Sequence, residues 1–180
     1  MKTLINDSIK KATELLENSE VVAIPTETVY GLAGDFQNEI AINQIFRVKN
    51  RPSHDPLILH ISNYDMLNQI AFCENELAMK IAKEVWPGPL TILFKKKNVV
   101  SDSITSGLQT VAVRMPSHPL FLKLIETYGK PLAAPSANPF GYISPTSPEH
   151  VYNQLGKKIP MILDGGECRI GIESTIINVE

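Results

Sequence analysis

Apolar positions recur along this chain with two different periods, and the change of period marks its elements. Residues 7 to 18 place Ile9, Ala12, Leu15 and Leu16 at helical spacing behind Asn6 or Asp7 as a cap, which predicts a first amphipathic helix. Val21-Val22-Ala23-Ile24 breaks that period: short, largely β-branched and stopped by Pro25, it reads as a buried strand ending in a polar loop. A second helix is predicted over 39–48, with Ile42, Ile45 and Phe46 inward. Short apolar runs bounded by Pro, Gly or Ser predict further strands at Leu57 to Ile61, Leu90 to Phe94, Val111 to Val113, Leu132 to Ala134, Met161 to Leu163 and Thr175 to Val179. Helical stretches separate them: Ser62 to Ile70 with Ser62 and Asp65 as a capping box, Glu74 to Val85, Pro119 to Tyr128 closed by Gly129, and one from Ser147-Pro148 to just before Gly156.

Strands mixed with helices at this density, without a repeat or a linker, predict one α/β domain over 1–180, built on a twisted mixed β-sheet flanked by helices. Several strands run into loops of Pro, Ser, Thr and Asn, namely IPTETVYG, VRMPSHP and APSANPFGYISPTSP. In open α/β sheets such loops gather beyond the strand ends and bind ligands there.

Charge narrows the partners. A formal net charge of −2 argues against a protein that is basic overall, so any RNA contact has to be local. Cys73 and Cys168 form no C-x-x-C pair and no Cys/His cluster, which implies reduced thiols and a cytoplasmic setting. No apolar run approaches membrane-spanning length, and Asn6, Asp7 and Ser8 interrupt any signal-peptide core.

Candidate chemistry concentrates in a few places. Lys49 and Arg51 lie two apart where the second helix ends; in an extended segment they point the same way and can grip a polyphosphate, or they are solvated cations at a helix C-terminus. Arg114 ends a buried strand, where it needs an anion: a substrate carboxylate, or an Asp or Glu of the fold. His60 sits inside an apolar strand, either as a hydrogen-bonded core residue or as a catalyst, while solvation accounts for His54 and His118 in Pro-rich loops. The loops Pro25-Thr26-Glu27-Thr28 and Pro135-Ser136-Ala137-Asn138 offer donors and acceptors, although turn formation alone explains them. Asp164-Gly165-Gly166 and Gly171 to Thr175 form a flexible Gly-rich stretch that is not a P-loop, because Ile172 and Glu173 stand where Lys and Ser/Thr are required.

Taken together, PTETVYGLAGD (25–35), KNRPSHDPLILHI (49–61), WPGPLTILF (86–94), VAVRMPSHP (111–119), PLAAPSANPFG (131–141), ILDGG and GIESTI resemble the YrdC-like family of threonylcarbamoyl-AMP synthases, in family order over nearly the whole chain. The resemblance implies a concave, positively charged cleft in which L-threonine is carboxylated by bicarbonate or carbon dioxide and then adenylated by ATP with Mg²⁺. A downstream threonylcarbamoyl transferase complex would use the product on the tRNA adenosine next to the anticodon. By the same resemblance Lys49 and Arg51 are catalytic and hold ATP phosphates. Asp55, Thr110, Ser136, Asn138 and Ser144 complete the nucleotide site, and Thr28, His60, Arg114 and Ser174 hold threonine.

Two departures from the family pattern carry expectations of their own. Asp55 stands where relatives often carry Asn, and it would repel phosphates unless it turns toward Mg²⁺ or a neighbouring cation. The sequence ends at Glu180, before the arginine that closes the nucleotide site in many relatives, which implies the short single-domain branch and either a substitute cation or weaker ATP binding. Two other readings remain: a module of this fold that binds double-stranded RNA or tRNA without catalysis, and a paralogue that uses another carbamoyl acceptor.

Overall fold

A computed structural model describes residues 2–179; Met1 and Glu180, the ends of the expected domain, lie outside the described residues. Among the described residues nine strands form one mixed sheet in the order β1-β8-β2-β3-β7-β4-β6-β5-β9. These are β1 (Leu4–Asn6), β2 (Val22–Ile24), β3 (Gly31–Asp35), β4 (Ile58–His60), β5 (Leu90–Lys95), β6 (Thr110–Arg114), β7 (Leu132–Ala133), β8 (Met161–Leu163) and β9 (Thr175–Ile177). The helices are α1 (Ile9–Glu17), α2 (Glu39–Lys49), α3 (Tyr64–Ile70), α4 (Glu76–Val85), α5 (Asp102–Thr105), α6 (Pro119–Tyr128) and α7 (Pro148–Leu155). Strand β4 runs parallel to β6, and β9 parallel to β5, whereas β5 and β6 are antiparallel.

The expected elements are present, with shifted ends. Helix α1 is capped by Ser8, whose side chain accepts from the Lys11 amide, not by Asn6 or Asp7. Helix α3 starts at Tyr64 behind Asn63, which accepts from the Met66 amide, so the Ser62–Asp65 capping box does not form. In both cases a hydroxyl or amide oxygen three residues upstream of an orphan N–H satisfies it. Three elements escaped the hydrophobic pattern: β1, β3 and the single turn α5. Strand β3 reads Gly-Leu-Ala-Gly-Asp and lacks β-branched residues, yet it is buried throughout and pairs with both β2 and β7. Its Gly34 has a packing reason, since a Cβ there would come within 3.2 Å of both Ala41 Cβ and Ile45 Cδ1 on α2.

Alternation along β4, β5 and β6 divides the sheet into a core face and an open face. Leu59, Val111, Val113, Ile92 and Phe94 belong to the hydrophobic core, with Leu124 and Ile125 of α6 and Ile45 of α2 in the same cluster. Ile58, Ala112 and Leu93 are only half-buried and look the other way. That second face carries the site.

Candidate functional site

The floor of the larger cavity, about 420 Å³, is the open sheet face: Ile58, Ala112, Leu93 and Ile176, from four adjacent strands. Its walls are Arg51, Asp55 and Pro56 on one side, Pro135 and Ser136 on another, and Glu173 and Ser174 on a third. The ligand space therefore lies on the sheet face and not only beyond the strand ends, where the loop pattern put it. Period-two geometry continues the floor into a smaller cavity of about 30 Å³: His60 follows Ile58 by two residues and Arg114 follows Ala112 by two. The two cavities share Ile58, Pro135, Ser136, Glu173 and Ser174. Thr110 is on the same face two residues before Ala112, but it is outside the lining of both.

Lys49 does not enter the larger cavity. It is 1% exposed, and its ammonium donates to the carbonyl oxygens of Ser136 and, at 2.6 Å, of Asn138. Burial first, then the nearby Arg51, pushes its pKa down to about 7. Arg51 takes a different direction because Asn50 adopts a left-handed conformation, φ 52°, at the end of α2. The extended geometry expected for Lys49 and Arg51 is thus replaced by a turn: Lys49 points inward to hold the Ser136–Asn138 loop, and Arg51 lines the cavity.

Arg51 donates to the backbone oxygens of Asp55 and Pro56, pairs with the Asp55 carboxylate at 2.9 Å, and has its guanidinium carbon 5.9 Å from the Phe140 ring centre. Asp55 has turned toward a neighbouring cation, which answers the electrostatic problem its sequence position posed. Asn138 is buried; its side-chain amide donates to the oxygens of Pro139 and Tyr142, holding its loop. Ser144 donates to Glu173 at 2.6 Å, joining the loop after β7 to the one before β9. The charged residues lining the larger cavity are mixed in sign, Arg51 with Asp55 and Glu173.

Around the small cavity the Thr26 and Thr28 hydroxyls have definite roles. Thr26 donates to the Val29 oxygen, so Thr28 must donate to Thr26, which leaves the Thr28 oxygen free to accept Arg114 Nη1 at 2.9 Å. Arg114 Nε donates to the Gly88 oxygen at 3.2 Å. Its Nη2 lies 2.9 Å from Glu27 Oε1, yet neither atom is in a hydrogen bond among the described residues. Arg114 therefore has its acidic partner within the fold and still lines a cavity. Ser174 exchanges a 2.8 Å hydrogen bond with Thr91 on β5.

His60 is buried, its ring centre 5.1 Å from that of Phe121; burial, then Arg114, pushes its pKa down to about 3, so it is neutral near pH 7. Its Nδ1 has no hydrogen-bond partner among the described residues. His54 is exposed as expected, whereas His118 is half-buried at the start of α6 and burial lowers its pKa. The Gly-rich stretch is anchored: the Tyr30 hydroxyl donates to the Gly166 oxygen and accepts the Gly165 amide.

Of the residues expected at the site, Arg51, Asp55, Ser136, Thr28, His60, Arg114 and Ser174 line one or both cavities, Lys49 and Asn138 stand behind them, and Ser144 reaches the rim through Glu173. Sequence reading missed Glu27 and Glu173 as site residues. Neither carried a signal of its own in the sequence: Glu27 meets Arg114 only in the folded chain, and Glu173 is marked by nothing beyond its Gly-rich neighbours.

Fold and cavities define an α/β domain with two adjoining cavities on an open sheet face. The chain belongs to the Sua5/YciO/YrdC family, described as "Telomere recombination", which matches residues 14–180. It is 49% identical over 171 residues to the threonylcarbamoyl-AMP synthase of Pyrococcus abyssi, covering 95% of this chain and 50% of that protein. Against the threonylcarbamoyl-AMP synthase of Vibrio vulnificus strain YJ016 the identity is 38% over 160 residues, 88% of this chain and 86% of the relative. The crystal structure of P. abyssi Sua5 complexed with L-threonine superposes with a TM-score of 0.94 at 46% identity, over 99% of this chain and 54% of the other. The chain thus spans about half the length of the P. abyssi and Bacillus subtilis relatives. Among the described residues no helix is long and apolar enough to cross a membrane.

Proposed function

We propose that this chain is a nucleotidyltransferase, an L-threonylcarbamoyladenylate synthase that condenses L-threonine, bicarbonate or carbon dioxide, and ATP into threonylcarbamoyl-AMP and pyrophosphate. One observation carries this reading: two cavities with a common wall, one lined by Arg51 and the other by Arg114. Such an arrangement holds a phosphate chain and an amino-acid carboxylate within reach of each other, and positioning of this kind supplies most of a bimolecular barrier. Arg114 and Thr28 would take the carboxylate of threonine, with neutral His60 and Ser174 beside it. Arg51 would face the phosphates, Ser136 and Ser144 would serve the nucleotide, and Lys49 with Asn138 would hold the loop that carries Ser136. Thr110 lies on the same sheet face, outside both linings.

The carbamate oxygen is already anionic, so its attack on the α-phosphorus needs no protein base; charge on the departing pyrophosphate would fall to Arg51. A Mg²⁺ carried in on the ATP phosphates would supply further charge neutralisation. We place the reaction in the cytoplasm, with the product passed to a threonylcarbamoyl transferase complex acting on tRNA. The test incubates the protein with ATP, Mg²⁺, bicarbonate and single amino acids and reads pyrophosphate together with the carbamoyl adenylate. Threonine-dependent formation of both is expected. Product with serine or glycine but not threonine would point to another acceptor, and salt-dependent RNA binding without any product would point to an RNA-binding module.

A further inference from the structure

The small cavity has an unusual charge balance. Arg114 and Glu173 are the charged residues of its lining, His60 being neutral, and Glu27 stands behind the lining against Arg114. Arg114 and Glu27 are both nearly inaccessible, with side chains 4% and 5% exposed. Glu27 is itself held from the far side, because its Oε2 accepts the Ser117 amide at 3.1 Å. The nitrogens of the Arg114 guanidinium meet two segments, Nε at the Gly88 oxygen and the two Nη atoms at Thr28 and Glu27 of one loop. The plane of the group is thereby fixed where it lines the small cavity.

A buried guanidinium without Glu27 would hold any small anion, including bicarbonate or a phosphate from the neighbouring cavity. With Glu27 the pair is neutral, and Glu173 at the shared wall adds one negative charge. A plain anion then completes a site with excess negative charge, whereas a zwitterion brings its own compensating cation. Resting on the amino-acid reading above, we propose that Glu27 and Glu173 are the specificity-determining residues that make this cavity select an amino-acid zwitterion over a simple carboxylate. Glu27 sets the orientation and charge of Arg114 from behind. Glu173, which lines both cavities, faces the ammonium of a ligand whose carboxylate rests on Arg114.

The experiment compares calorimetric binding of L-threonine and (R)-3-hydroxybutyrate, the same molecule without its ammonium, to the wild-type chain, Glu173→Gln, Glu27→Gln and Arg114→Ala. The wild type should prefer threonine by more than roughly tenfold, and both glutamine variants should lose most of that preference. Glu173 is exposed, so its variant keeps the fold and decides the matter even if loss of the buried Glu27 charge prevents folding. Equal affinity of the wild type for the two ligands, or an undiminished preference in Glu173→Gln, overturns the proposal. Undiminished threonine binding by Arg114→Ala strikes instead at the placement of the amino acid, so failure of that underlying reading is separately visible.

Discussion

The Lys49 ammonium donates a 2.6 Å hydrogen bond to the backbone oxygen of Asn138, joining the last residue of α2 to the loop that follows β7. A buried cation thereby satisfies two main-chain carbonyls, those of Ser136 and Asn138, that would otherwise be left without partners in this loop. The cost is desolvation, which is why its pKa falls to about 7.

That cost makes stability depend on pH. The folded value of Lys49 lies near 7 and the ordinary value at 10.5, so between them the unfolded chain binds the extra proton and stability climbs as pH rises. Cys168, raised by burial to about 11 from 9.0, acts in the opposite sense above pH 9, as do the upward-shifted Tyr30 and Tyr128 at higher pH. Denaturant midpoints measured from pH 7 to 9 should therefore rise for the wild type and rise less for Lys49→Met. Identical slopes would contradict the buried-cation account.

On the acid side His60 matters. Its folded value near 3 against an ordinary 6.5 means that stability is fully present above 6.5 and is lost as pH falls from there toward 3. Replacing it with the uncharged, hydrogen-bonding Gln should flatten the acid limb of a thermal-melt series relative to wild type. An unchanged acid limb would show that His60 is accessible to protons in the folded chain.

Asp55 tempers the charge of Arg51 across 2.9 Å, with side chains 14% exposed for Arg51 and 34% for Asp55. Asp55→Asn should leave Arg51 freer to attract phosphate and tighten binding of a non-hydrolysable ATP analogue several-fold, by at most about tenfold, given the modest energies of half-exposed pairs. Fluorescence titration at low salt reads this directly. Weaker binding would mean that the Asp55 carboxylate serves the nucleotide, through its cation, more than it restrains Arg51.

Gly165 is a steric prediction independent of function. A Cβ there would approach Pro25 Cγ to 2.6 Å and His118 Cε1 to 2.8 Å, in a turn where the Gly165 amide also donates to the Tyr30 hydroxyl. Gly165→Ala should destabilise the chain by about 1–3 kcal/mol, as overpacking does. Chemical denaturation with an unchanged m-value would measure it; a loss below about 0.5 kcal/mol would show that the loop yields.

Local pattern was enough to determine where most strands and helices lie, because period and punctuation are properties of neighbouring residues: Val22–Ile24 and Met161–Leu163 are strands, and Pro119–Tyr128 is a helix closed by Gly129. It also marked Arg114 as a cation in need of an anion, since an arginine at the end of an apolar run needs a partner wherever the chain goes. What only the tertiary structure decided is which partners these are and which way each side chain faces. The left-handed turn at Asn50 sends Lys49 to backbone carbonyls and Arg51 to a cavity, and the pairing of β4 with β6 sets His60 beside Arg114. Strand β3 formed without a β-rich sequence because β2 and β7 pair with its backbone on either side and Gly34 lets α2 approach. Glu27 acquired its role only when folding carried it to Arg114, 87 positions along the chain, because burial and charge pairing are settled by the whole packed core and not by neighbours in sequence.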